Sequence, residues 1–283
     1  MIVVDDAPSQ LSESATASAR TVEAWAHAYI TTRDLHEKLM PAPPPGQWRD
    51  EGLVAPLAPG RPRALCVVRK APRMPRKAGT PAARAKLLHT FLHHELQAAE
   101  LMAWALLAFP TAPRPFRQGL LAIMEDELRH AAHYRVALAD LGVAYGDQPV
   151  RDWFWERVPA CRSPGSFVAT LGLGLEAANL EHTARGGVLL PDLSRRLRGG
   201  DEAGALLQEQ SGREEVAHVA FGVRWFEAFR GSLRFEDWSA ALPPPLSPLL
   251  MRGTPVARGA RRRAGMSEAF VDALEAWRPR PAA

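Results

Sequence analysis

Cysteine is scarce in this chain: 283 residues contain only Cys66 and Cys161, which lie far apart in the sequence. So few cysteines exclude a disulfide-stabilised scaffold and a zinc-ribbon arrangement, and they fit a reducing compartment best. No apolar run approaches the roughly 18–20 residues that a membrane span requires. The N-terminal segment MIVVDDAPSQ is acidic and has no basic leader. We therefore expect a cytoplasmic protein that does not enter a membrane.

The chain also lacks a large charge of either sign, because its formal net charge is +4. Most of the positive excess lies in two arginine-rich stretches, residues 61–76 and 258–263. One interpretation is a solvated surface whose arginines pair with acidic groups, and the other is a patch for nucleic acid or an anionic substrate. No helix-turn-helix, RNA-recognition or zinc-finger pattern supports nucleic-acid binding. We therefore favour the first interpretation.

Proline and glycine divide the chain into three regions. Residues 12–40 have a helical pattern, but the Pro- and Arg-rich stretch that follows cannot form a long helix. Because it carries Trp48, Leu65, Val67 and Val68, we expect it to wrap around the rest of the protein. We predict three parts: an N-terminal helix and wrap over 1–80, a helical bundle over 81–231, and a C-terminal extension over 232–283.

Two copies of the motif Glu-x-x-His are the strongest signal in the sequence. They are Glu127–His130 and Glu215–His218, each in a helical apolar pattern and each preceded by another acid. Residues three apart in an α-helix lie on one face, about 5–6 Å apart, so such a pair can bind one metal ion together. One copy could arise by chance in this composition, but two in matching contexts indicate a metal site.

A further glutamate lies in an apolar run upstream of each motif: Glu95 in LLHTFLHHELQAAELMAWALLAF and Glu176 in FVATLGLGLEAANL. Taken alone, either glutamate would more often lie on a helix surface. One Glu from each of two helices, together with Glu-x-x-His from each of two others, is the ligand set of a ferritin-like di-metal bundle. The predicted metal ligands are Glu95, Glu127, His130, Glu176, Glu215 and His218.

The predicted fold is all-α, a ferritin-like four-helix bundle with a long crossover between its two helix pairs. The helices are expected over 81–109, 115–141, 166–183 and 201–229, with a glycine-rich turn before the fourth and a short terminal helix over 267–277. The crossover AYGDQPVRDWFWERVPACRSPG is long and aromatic. We expect its Trp153 and Trp155 to be mostly buried and the crossover to cover the bundle.

Carboxylate and imidazole ligands suit iron or manganese, whereas a site without thiolates disfavours soft metals and iron–sulfur clusters. We therefore predict two iron ions, or manganese and iron, with open coordination positions for O2 or substrate. Outer polar groups usually orient such ligands. The candidates for that role are Asp126, His133, Asn179 and Glu214.

Glu100 competes with Glu95 for the ligand position on the first bundle helix. Five residues turn a helix by about 500°, so the two side chains point about 140° apart. Glu95 and Glu127 are equally far from the turn between the first two helices, so they lie at the same height along the bundle. Glu100 is closer to the turn, at a height that differs from that of Glu127 by about 7 Å. We choose Glu95 as the ligand and place Glu100 on a neighbouring face or just outside the ligands.

Several stretches resemble a ferritin-like family known as domain of unknown function 455. They are LLHTFLHHELQAAEL, DELRH, LGVAYGDQPV, LEAANL, EEVAHVAFGVRWF and LPPPLSPLLMRGTPVARGARRRAG, and they cover most of the chain from about residue 20 onward. The resemblance implies a ferritin-like bundle with a di-iron centre but no settled reaction. Family members often read Glu-Ala-Arg-Gly-Leu-Asp in the third helix, whereas this chain has Ala178 and Asn179 after Glu176-Ala177.

The sequence favours a non-haem di-iron oxidoreductase that uses O2 to oxidise or hydroxylate a small-molecule substrate with the help of an electron donor. One alternative is a protein that binds or oxidises iron without an organic substrate. A second follows from a distant similarity to ferritin-like hydroxylases that modify a tRNA adenosine. The long flanks on both sides of the bundle favour the enzyme, because they could cover a substrate cavity.

Overall fold

A computed structural model describes residues 14–49, 53–70, 74–75, 79–181 and 202–279, with the backbone alone over 202–213. This part of the chain is all-helical and contains no β-strand, which confirms the all-α prediction. Its helices are α1 (Val22–Thr31), α2 (Leu35–Leu39), α3 (Pro81–Ala108), α4 (Arg114–Ala139), α5 (Pro164–Thr170), α6 (Glu202–Arg230), α7 (Phe235–Ala241), α8 (Arg258–Arg263) and α9 (Glu268–Ala276).

Local sequence signals set the limits of the two long helices α3 and α4. The Thr80 side chain accepts a hydrogen bond from the backbone N–H of Ala83, and Pro81 occupies the first position of α3. α3 ends at Phe109, where Pro110 follows. Pro115 then lies in the first turn of α4. The resulting tight link makes α3 and α4 neighbours, and they pack along their length.

The third long segment is not a plain α-helix, although the sequence predicts one over 166–183. α5 continues as a π-helical segment, Leu171–Glu176, before α-helix resumes over 177–181. Two glycines in LGLGLE weaken the preference for an α-helix. A Cβ atom on Gly172 would lie 3.2 Å from the Cα of Gly222, so α6 packs directly against this backbone. Thr183 and the glycine-rich turn lie outside the described residues.

The crossover and the Pro/Arg-rich wrap pack together over the outside of α3. Val150 and Val67 form an isolated parallel β-bridge. Trp155 is buried as expected, whereas Trp153 is half-buried. Of the four apolar residues that indicated a wrap, Leu65 is buried and Trp48 and Val68 are half-buried. Val67 is 42 % exposed, and its backbone makes the contact instead.

The C-terminal extension is joined to the third helix by a buried ion pair. Nε and Nη2 of Arg261 lie 2.8 and 2.9 Å from the Glu181 carboxylate, and neither side chain is solvent-exposed. Arg258 pairs with Glu268, Asp272 and Glu275. The second arginine-rich stretch therefore makes intramolecular ion pairs. Among the described helices, none is long and apolar enough to cross a membrane.

Candidate metal centre

Four helical segments bring six carboxylate and imidazole side chains together in the core. α3 contributes Glu95, α4 and α6 each contribute a Glu-x-x-His pair, and the π-helical segment ends at Glu176. None of the six residues is more than 7 % exposed. They are the six residues that the sequence predicts as ligands: Glu95, Glu127, His130, Glu176, Glu215 and His218.

The side chains form two groups that share Glu127. The first contains Glu95, Glu127 and His130, and the second contains Glu127, Glu176 and His218. Within each group, one ligand atom per residue lies within 4.8 Å of the others. Each group could hold a metal ion, and the two oxygens of Glu127 could serve one ion each.

Nδ1 of each histidine faces the carboxylates. His130 Nδ1 lies 3.9 Å from Glu95 Oε2, 3.7 Å from Glu127 Oε2 and 3.8 Å from Glu215 Oε1. His218 Nδ1 lies 3.0 Å from Glu127 Oε1. These contacts connect Glu215 to the first group as well. The two imidazole rings are 6.1 Å apart, measured between their centroids.

Several of these atoms have no hydrogen-bond partner among the described residues. They are both carboxylate oxygens of Glu127, Oε2 of Glu215 and Nδ1 of His218, and all are buried. His218 Nδ1 and Glu127 Oε1 are close to each other, but the contact lacks the alignment of a hydrogen bond. Buried polar atoms without partners cost free energy, so a native protein normally satisfies them. Divalent cations would satisfy all four at once. The residues present therefore fit a metal site.

The pKa values in the cluster show how strongly the carboxylates repel one another. Burial and the neighbouring Glu127 raise the pKa of Glu215 to about 7 and that of Glu95 well above its usual value. Burial opposes charge on His130, but Glu127 and Glu95 outweigh it and raise its pKa to about 12. Protons and metal cations therefore compete for these atoms.

The outer nitrogen of each histidine contacts an acid from the opposite motif. His218 Nε2 lies 2.9 Å from Asp126 Oδ2, and His130 Nε2 lies 3.1 Å from Glu214 Oε2. Asp126, which precedes the first motif, therefore holds the histidine of the second motif. Glu214, which precedes the second motif, holds the histidine of the first. With Nε2 donating to a carboxylate, Nδ1 presents its lone pair to a metal.

Arg129 joins the two halves of this arrangement. Its Nη2 lies 2.5 Å from Asp126 Oδ1 and 2.8 Å from Glu214 Oε1. One guanidinium thus holds both acids that orient the imidazoles. Arg129 lies inside the first motif, but nothing in the local sequence indicates that it reaches across to α6.

The remaining predicted orienting residues differ in their contacts. Asn179 Nδ2 donates a hydrogen bond to Glu176 Oε2 over 3.4 Å. His133 is half-buried on α4 and makes no hydrogen bond to the six ligand residues in the described structure. Its predicted role in orienting them therefore has no contact to support it, because the orienting positions are taken by acids from the facing helix.

Glu100 lies on another face of α3 and has its own partners. Of the two predicted positions, it therefore occupies the neighbouring helix face and not the one just outside the ligands. Its carboxylate receives Lys38 Nζ at 2.7 Å, both terminal nitrogens of Arg61 at 2.6 and 2.8 Å, and Trp155 Nε1 at 2.8 Å. Burial alone would raise the pKa of Glu100, but Arg61 and Lys38 outweigh it and lower the pKa. Glu100 therefore neutralises two buried cations, Lys38 of α2 and Arg61 of the wrap.

Tyr134 belongs to the same neighbourhood, although the sequence analysis does not select it. Burial and the charges of Glu95, Glu215 and Glu127 raise its pKa well above the usual value. It lies four residues after His130, hence on the same face of α4. That spacing was the signal that could have identified it.

The model of one protein family, described as a protein of unknown function (DUF455), matches residues 9–272. No match was found among curated proteins or among solved structures. The family model spans nearly the whole chain, including the wrap, the four segments that carry the candidate metal ligands and the C-terminal extension. The chain belongs to the DUF455 family.

Proposed function

We propose that this protein is a ferritin-like non-haem di-iron oxidoreductase that uses O2 to oxidise or hydroxylate an organic substrate, with manganese and iron as the alternative metal pair. The four bundle helices would be α3, α4, the segment from α5 through residue 181, and α6. The observation that carries the proposal is the buried Glu127 carboxylate, shared between two groups of ligands.

The donor set supports iron or manganese. Four carboxylates and two imidazoles offer the hard and intermediate ligands that these ions prefer. Thiols do not take part, since Cys66 is exposed and Cys161 Sγ lies 3.5 Å from Thr170 Oγ1. The match between Glu-x-x-His pairs on two helices and single glutamates on two others supports the ferritin-like arrangement.

A bound pair of redox-active ions would supply the electrons that O2 chemistry needs. The chain's own residues then have defined tasks. Asp126 and Glu214 hold the Nε2 protons and fix the tautomer of both imidazoles. Met102, Ile123 and Phe221 close the far side of Glu176 and His218, where a cavity of about 10 Å³ is too small for an organic molecule. This apolar wall leaves room for at most about one water molecule beside the ligands.

That small cavity also favours a second candidate function, the oxidation of bound iron without an organic substrate. On the side of Met102 and Phe221, the centre has room for little more than a diatomic molecule or a single water. The second candidate requires that no organic molecule approach the centre from any other direction.

Metal analysis of anaerobically purified protein tests the proposal. We expect about two iron or manganese ions per chain and a change in the visible and near-ultraviolet absorption spectrum when O2 is admitted. Protein loaded with zinc is the matched control and should not respond to O2. Iron-free protein that cannot be loaded with iron or manganese would refute the proposal. Iron oxidation without any organic oxidation would favour the second candidate.

A further inference from the structure

A second cavity, of about 350 Å³, lies beside the helical segment that carries Glu176. α3 forms one wall, the crossover forms another, and the helix after the π-helical segment forms the third. This volume is typical of a site for a small organic molecule. The residues that matter here are Lys86, His94, Trp153, Phe154, Leu175 and Asn179.

The inner end of the cavity touches the candidate metal centre. Asn179 lines the cavity, and its Nδ2 also donates to Glu176 Oε2 over 3.4 Å. His94 lines it as well, and the next residue is Glu95. The Asn179 side chain therefore links the lining of the cavity directly to the predicted metal ligand Glu176.

The walls are flat and largely apolar. The rings of His94 and Phe154 stack with centroids 4.9 Å apart and planes inclined by 27°. Trp153 meets Phe154 edge to face at 5.8 Å, and Leu175 completes this part of the lining. Aromatic faces and edges of this kind bind planar apolar groups.

The charge at the outer end is positive. No acidic residue is among those that line the cavity. Arg151 is already paired with Glu156, at 2.8 and 2.6 Å. Lys86 is half-buried, and within the described structure its ammonium has no ion pair. Lys86 precedes His94 by eight residues, a distance of about 12 Å along α3, and both side chains line the cavity.

We propose that this cavity binds the organic substrate, and that the substrate is a small organic acid with a planar apolar body. Its anionic group pairs with Lys86 at the outer end, and its body lies against Phe154 and Trp153 and extends towards Asn179. The inference rests on the proposed oxidoreductase function, because it assigns the substrate class of that same centre. The small cavity beside Met102 and Phe221 is too narrow for this substrate.

Three probes that differ only in their head group test this assignment: 4-phenylbutyrate, 4-phenylbutanol and 4-phenylbutylamine. Binding is measured by calorimetry on metal-free and metal-loaded full-length protein. We expect the acid to bind roughly tenfold more tightly than the alcohol, as one charge-assisted contact implies. The amine should bind more weakly than both.

Variants locate the contact. Lys86→Met keeps the apolar stem and should weaken acid binding roughly tenfold while leaving alcohol binding unchanged. Lys70→Met, at an exposed lysine outside the cavity, should change neither. Ala178→Phe adds a ring to the cavity wall and should abolish binding of both probes. Lys86→Met carries the test if Ala178→Phe does not fold.

Three outcomes would overturn the inference: no binding of the acid, equal binding of all three probes, or unchanged acid affinity in Lys86→Met. Metal content is measured on the same samples. If the protein holds no metal but the acid binds with the expected preference, the oxidoreductase function fails and the cavity assignment stands. If two metals are present without any preference for the acid, only the substrate assignment fails.

Discussion

His218 Nε2 lies 2.9 Å from Asp126 Oδ2, although the two residues come from different Glu-x-x-His helices. The same relationship, reversed, joins His130 to Glu214. Each motif therefore orients the imidazole of the other motif, in addition to the ligand atoms that it would offer itself. The two halves of the centre therefore depend on each other. Loss of one acid should weaken metal binding by the histidine of the other motif.

Asp126→Asn should weaken metal binding by about 10–100-fold, because the amide cannot hold His218 as the carboxylate does. Competition with a chelator measures the change. Glu125→Gln is the matched control, since this neighbouring acid is exposed. Unchanged affinity in Asp126→Asn would show that the contact does not orient the ligand.

Replacing His130 and His218 together by alanine should abolish metal binding. Both imidazoles are removed, while the apolar core of the bundle stays intact. Metal analysis and far-ultraviolet circular dichroism report the two properties separately. His133→Ala, on the same helix but without a hydrogen bond to the ligands in the described structure, should retain the full metal content. A double variant that binds metal like the parent would place the site elsewhere.

Glu95→Gln and Glu100→Gln should have opposite effects. Glu95→Gln removes a predicted ligand and should lower the metal content with little loss of stability. Glu100→Gln should keep the metal but lower the free energy of unfolding by about 3–5 kcal/mol, because it leaves Lys38 and Arg61 without their buried counter-charge. Denaturant titration and metal analysis measure both. The reverse result would exchange the roles assigned to the two glutamates.

Asp152→Asn should destabilise the protein at pH 7 by about 2 kcal/mol, and the difference from the parent should disappear in acid. Burial opposes the charge on Asp152, but His93 and Arg61 lower its pKa from 3.8 to about 2. A lowered pKa contributes stability that is present above pH 4 and lost as the pH falls through about 2. Asp272→Asn, at an exposed acid, is the control. A constant difference between pH 7 and pH 2 would contradict the assigned ion pairs.

Helix limits and the choice of residues for the centre could be predicted because both depend on short-range patterns. Thr80 and Pro81 determine where α3 begins, and the three-residue spacing from Glu127 to His130 places both side chains on one face. The relative depth of Glu95 and Glu127 followed from counting residues back from the turn. These features need no knowledge of how the helices are oriented around their axes.

The contacts between distant parts of the chain could not be predicted in this way. The reach of Arg129 to Glu214 depends on the separation and rotation of α4 and α6. Lys38 reaches Glu100 because of the position of α2 beside α3, which no periodic pattern encodes. His133 makes no hydrogen bond to the ligands for a similar reason, which depends on helix packing. Asp126 and Glu214 already contact the Nε2 atoms of the two ligand histidines.

The π-helical segment Leu171–Glu176 sets the rotational phase of the third helix. A π-helical turn contains about one residue more than an α-helical turn, so the α-helix on its far side is rotated by about 100° relative to an uninterrupted helix. The direction in which Phe167 points is therefore not tied by α-helical periodicity to the direction in which Glu176 and Asn179 point. Deleting Gly172 would restore a continuous α-helix and turn one of these two sets of side chains away from its partners. The extra residue thus lets one helix place Phe167 in the apolar core and Glu176 among the candidate metal ligands.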